Sequence, residues 1–119
     1  MKNKKVLLVV ESSKKALGRA FSALERKPKN NKNITIISFP DFETLGRVIT
    51  GARLELLNNI RLMKPRSIQE LARLVKRDFK NVYQDVKLLA EFGLIELKEA
   101  GPRKSAEPLA KYSEIILAA

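Results

Sequence analysis

The chain has 119 residues, room for one domain or a small domain with a substantial arm, and 45% of them are hydrophobic, enough for a real core. It contains neither cysteine nor histidine. That excludes disulfides and thiolate chemistry, and it removes the commonest general base and metal ligand at neutral pH. A formal net charge of +11 makes nucleic acid the leading expected partner, ahead of an anionic membrane surface or an acidic protein.

The charge is unevenly spread. Residues 1–33 hold ten Lys/Arg against two acids, residues 34–50 one against two, and residues 51–119 thirteen against nine. Most of the excess therefore sits in an N-terminal arm. No apolar run approaches a membrane span. The run at 6–10 follows lysines but is too short for a signal peptide and lacks a small-residue cleavage site. A cytoplasmic location is the expectation.

In chain order, residues 6–10 (V-L-L-V-V) form a short, β-branched apolar run that reads as a buried strand. Ser12 or Ser13 can cap a helix over about 14–26, with Leu17, Ala20, Phe21 and Leu24 on one face. Residues 27–33 are a polar, basic loop. Residues 34–39 predict a second strand, stopped by Pro40. Asp41 then caps a short helix through Val48, which Thr50-Gly51 closes. Strand, helix and strand suit a parallel crossover, yet two strands alone make no stable sheet. The missing pairing must come from the chain's end, from a second copy, or both.

Residues 52–63 predict another helix with Leu54, Leu57, Ile60 and Met63 inward, ended at Lys64-Pro65-Arg66. The most informative stretch follows, at 67–93. Ser67 is a good N-cap and Glu70 completes a capping box. Ile68, Leu71, Ala72 and Val75 then lay one apolar stripe along a first helix. Lys76 and Arg77 interrupt the pattern. Asp78 caps a second helix with Val82, Val86 and Leu89 inward and Phe79 beside them. Lys80, Gln84 and Lys87 lie on its other side, flanked by Asn81 and Tyr83, and Gly93 ends it.

Two capped helices and a polar, basic second face fit a helix-turn-helix, which sets its second helix in the DNA major groove. Asn and Gln can pair with adenine, and Lys can reach guanine or phosphate. The same residues also fit a solvated face on an ordinary helical hairpin. After Gly93 the pattern switches to period two over 94–98. A turn carrying Arg103 and Lys104 and a returning segment at 107–110 follow. A hairpin with a basic tip after such a helix pair has the order of a winged helix, with the tip placed for phosphate or the minor groove. Residues 113–118, with Ile115-Ile116-Leu117, look like a last strand and the candidate for the missing pairing.

The run T-G-A-R-L-E-L-L at 50–57, continued through K-P-R-S-I-Q-E-L-A-R-L-V-K-R-D-F-K-N-V-Y-Q-D-V-K-L-L-A-E-F-G-L-I-E-L, resembles MarR-like winged-helix regulators of archaea and bacteria. Within them it is most similar to a group of small DNA-binding proteins often encoded beside a small toxin-like protein. The similarity covers roughly 34–117, while residues 1–33 depart from the pattern. It implies a sequence-specific transcriptional regulator, or the antitoxin of a toxin–antitoxin pair. It also implies DNA-facing positions at Lys80, Asn81, Tyr83, Gln84 and Lys87.

No catalytic constellation or Gly-rich phosphate loop appears, so neither an enzyme nor a cofactor is expected. A winged helix used for protein contact is the other class of reading, since fold does not fix function. The expected fold class is α+β, a winged helix-turn-helix over 51–119 with an N-terminal strand-helix-strand arm over 1–50 that serves dimerisation. Candidate DNA contacts are Ser67, Lys76, Arg77, Lys80, Asn81, Tyr83, Gln84, Lys87, Arg103 and Lys104. The expected partners are double-stranded DNA, a second copy of the chain and a cognate toxin-like protein, with no membrane.

Overall fold

The computed structural model describes residues 4–10, 18, 34–99 and 106–118. The fold is α+β. The chain divides into two compact units, residues 1–47 with 112–119, and residues 48–111. Apart from Gly18, the expected helix at 14–26 lies outside the described residues, as do the basic loop at 27–33 and the hairpin tip with Arg103 and Lys104.

The first unit holds a parallel three-stranded sheet. β1 (Lys5–Val10) is its centre, with β2 (Ile34–Phe39) on one side and β5 (Glu114–Ala118) on the other. In register, Leu7 faces Ile36 across one boundary and Ile116 across the other. Val6 to Val10 are all buried. A strand covered on both faces needs no polar alternation, which is why its sequence is an unbroken apolar run. The chain's end therefore supplies the third strand. β5, which the sequence division kept within 51–119, groups with the N-terminal segment whose missing pairing it was expected to supply. Its ladder opens at Ser113, whose N–H and Oγ both donate to the Lys4 carbonyl, at 2.7 and 3.1 Å. Lys5 and Glu114, register partners, form an ion pair at 3.2 Å. After Pro40, Asp41 caps α1 (Phe42–Val48) by accepting from the Thr44 N–H and hydroxyl, both at 2.8 Å. These bonds hold the Asp41 carboxyl below its ordinary pKa, the backbone bond chief among them.

The second unit contains α2 (Gly51–Met63), α3 (Ile68–Val75), α4 (Phe79–Glu91) and the antiparallel hairpin β3 (Glu96–Glu99) and β4 (Ala106–Leu109). Thr50 does not close α1 but opens α2, its hydroxyl accepting from the Arg53 N–H at 3.2 Å. The buried face of α2 is Leu56, Leu57 and Ile60, while Leu54 and Met63 are exposed, contrary to expectation. The inward row is Arg53, Leu56, Leu57, Ile60 at i, i+3, i+4, i+7, and a charged first member hid it from an apolar count. Lys64 ends α2 in the left-handed region, φ 48°.

Ser67 caps α3 as expected, its hydroxyl accepting from the Glu70 N–H at 3.0 Å. Glu70 does not reach back to Ser67; its carboxylate accepts from the Arg66 N–H at 3.0 Å. Ile68, Leu71 and Ala72 are buried, as are Val82, Val86 and Leu89 on α4. Asp78 holds the N-cap position of α4, yet its side chain makes no cap bond. Gly93, at φ 87°, terminates α4: its N–H donates to the Ala90 carbonyl and the Leu94 N–H to the Leu89 carbonyl. This is a Schellman ending, with buried Leu89 and Leu94 as its apolar pair. Because Leu94 is still closing the helix, β3 begins at Glu96, two residues later than the period-two pattern suggested.

Candidate nucleic-acid interface

The candidate surface is built on α4 by a division of labour among its residues. Val82, Val86 and Leu89 recur at i, i+4 and i+7 and are fully buried, fixing the helix's rotation. That rotation turns Lys80, Asn81, Gln84 and Lys87 to the exposed side. Tyr83 is 42% exposed and Phe79 48%. Their rings stack, with centroids 5.8 Å apart and 27° between planes, and Lys87 Nζ lies 5.9 Å from the Tyr83 centroid. Phe79 was expected beside the core stripe; it belongs instead to this outer row of i, i+4, i+8.

A second fixing device is ionic. The Asp85 side chain, 14% exposed, accepts from Arg53 Nε at 3.1 Å through Oδ1 and from Arg77 Nη2 at 2.8 Å through Oδ2. Arg53 Nη1 also donates to the Val48 carbonyl at 3.0 Å. One carboxylate thus ties α4 to α2 and to the turn before α4. Its orientation is set by both partners, since each oxygen has its own donor. Sequence reading missed Asp85 and Arg53. The available signal was a charge in each apolar pattern: Arg53 heads the α2 row, and Asp85 sits between Val82 and Val86.

The remaining candidates divide. Arg77 was expected to reach DNA, but its guanidinium is bonded to Asp85, and its Nη1 is buried without a hydrogen-bond partner. Lys76 is exposed and takes the left-handed conformation, φ 55°, its N–H donating to the Ala72 and Arg73 carbonyls. Ser67 is engaged as a cap, though a hydroxyl that accepts can still donate. Ser67 and Lys76 bracket the two ends of α3, a helix about 12 Å long. Five candidates, Lys80, Asn81, Tyr83, Gln84 and Lys87, share α4. Among the described residues no cluster of carboxylates could hold a metal ion, and no helix is long and apolar enough to cross a membrane.

No curated protein and no solved structure gives a match to this chain. A family model described as HVO_A0114 matches residues 48–117, which span the helices α2 to α4, the hairpin and most of β5. The match covers more than half of the chain, which therefore belongs to the HVO_A0114 family.

Proposed function

We propose that this protein binds duplex DNA in a sequence-specific manner and acts as a transcriptional regulator. In this reading α3 and α4 are a helix-turn-helix, α4 enters the major groove, and the β3–β4 hairpin is a wing whose basic tip meets phosphate or the minor groove. The observation that carries it is the outward face of α4. Lys80, Asn81, Gln84 and Lys87 are exposed together on a helix whose rotation is fixed by three buried aliphatic residues and a doubly bonded carboxylate. Amides supply a donor and an acceptor for adenine, and lysines supply charge for phosphate or guanine. The resemblance to MarR-like regulators points the same way, and the net charge of +11 suits a polyanion. Binding to duplex DNA over a salt series is the test. Affinity falls with a log–log slope of about −0.9 per neutralised phosphate. Absence of duplex binding even at low salt sinks the reading.

Within the same proposal the protein acts as a homodimer. β2 and β5 are the outer strands of the described sheet, and each offers an edge to a second copy. A two-fold dimer reads two half-sites about one helical turn, or a multiple of it, apart. Light scattering with and without DNA decides this, and a monomer under both conditions refutes it. A cognate toxin-like partner, with this chain as antitoxin, is the variant that the resemblance adds, and a gene for one beside this one favours it. Use of the helix pair for protein contact is the second reading. Exposed Leu54, Leu62 and Met63 on α2 favour it, and retention of a protein partner by a chain that binds no DNA is its mark.

A further inference from the structure

We infer that Phe79 and Tyr83 form an apolar plate on α4 that reads thymine 5-methyl groups, making an A·T-containing step the core of the recognised site. This rests on the DNA-binding reading above and goes beyond it by naming a specificity-determining residue and the base it selects. Phe79 is the first residue of α4, at the end by which a recognition helix contacts base edges. Its ring is about half exposed, as is that of Tyr83, and neither belongs to the buried stripe. Rings at this exposure are normally tolerated singly. Here two are stacked at 5.8 Å, with Lys87 over the second, so the plate has a defined orientation on the helix. A surface that is apolar yet flanked by Lys80 and Lys87 suits a partner that is anionic overall and apolar at isolated points. The major groove has that character, and its apolar group is the thymine methyl. The amides agree with the plate. Asn81 and Gln84 are the side chains that pair with adenine N6 and N7, and adenine is the base opposite thymine. One A·T pair can therefore satisfy an amide and the aromatic plate together.

The test uses the full chain and a random duplex pool. Bound duplexes are selected and sequenced, and thymines enriched at fixed positions are replaced singly by deoxyuridine, which deletes only the methyl. At a contacted position the replacement weakens binding about fourfold, the transfer value of one methyl-sized group. In Phe79→Ala the same replacement has no further effect, and Phe79→Leu keeps part of it. The deoxyuridine arm needs no protein variant, so a poorly folding Phe79→Ala leaves it intact. Selected sites without a preferred thymine, or with thymines indifferent to methyl removal, overturn the inference while duplex binding stands. Recovery of no duplex overturns the DNA-binding reading and takes this inference with it.

Discussion

Arg53 and Asp85 stand 32 positions apart in the sequence and meet through a 3.1 Å hydrogen bond from Nε to Oδ1, with Arg77 on the other carboxylate oxygen. Asp85→Ala removes the carboxylate that both partly buried guanidiniums bond. Fully buried pairs lose about 3–5 kcal/mol when one partner is removed, but both arginines retain some exposure, so screening lowers the figure. The expected loss is roughly 1–3 kcal/mol, read as a lower urea midpoint at unchanged slope. A loss under about 0.5 kcal/mol would place the cluster among ordinary surface ion pairs.

Gly93 and Lys64 test the backbone at two helix ends. Gly93 lies at φ 87°, and a Cβ there would meet no atom within 4 Å. Gly93→Ala is therefore a conformational change alone, costing about 1 kcal/mol. Lys64 is the inverse case, a β-carbon-bearing residue at φ 48°. Lys64→Gly is expected to raise stability by up to about 1 kcal/mol. Opposite signs for the two in equal denaturant series check the shared cause.

The elements around these sites were legible in the sequence to different degrees, for physical reasons. α3 and α4 carry caps and apolar rows of pure helical period, so their existence and inward faces followed directly. β1 followed from its unbroken apolar run, and β5 was one of the candidates for the pairing that two strands alone lack. What escaped was held by charge. The α2 row begins at Arg53, so an aliphatic count settled on Leu54 and Met63. Asp85 went unread and Arg77 read as a DNA contact, because nothing in the local pattern marks an ion pair between residues eight positions apart. Phe79 read as flanking the inward stripe, whereas its exposure and its stack with Tyr83 place it on the outer row.

Asp41 gives a pH prediction. Hydrogen bonds from the Thr44 N–H and hydroxyl lower its pKa below the ordinary 3.8. A carboxyl with a depressed folded-state pKa contributes stability that is fully present above its unfolded value and lost as pH falls through the folded value. The difference in stability between the wild type and Asp41→Ala is therefore constant near neutrality and shrinks only below about pH 4. The check is an NMR titration, in which Asp41 is expected to titrate below the ordinary 3.8. Thr44→Val moves it part of the way back, because the larger backbone bond remains.

The sharpest division lies between neighbours. Asn81→Ala and Gln84→Ala are each expected to cost about 1–3 kcal/mol at the selected site and little on random duplex, as loss of a good bidentate base pair does. Lys80→Ala and Lys87→Ala weaken all sequences together and flatten the salt slope by about one unit per lost phosphate contact. Lys76 and Arg77 then separate, although they are adjacent and carry the same charge. Lys76 is exposed at the end of α3, so Lys76→Ala behaves as a phosphate contact. Arg77 is bonded to Asp85, so Arg77→Ala chiefly lowers stability, by roughly 1–3 kcal/mol, and leaves the salt slope of the folded protein unchanged. Val82→Ala is the control, a buried truncation on the same helix that costs roughly 0.5–3 kcal/mol without changing the preferred sequence. If Arg77→Ala flattens the slope as Lys76→Ala does, the guanidinium leaves Asp85 for phosphate when DNA binds. If Asn81→Ala and Gln84→Ala both keep full discrimination, the reading face of α4 lies elsewhere on the helix.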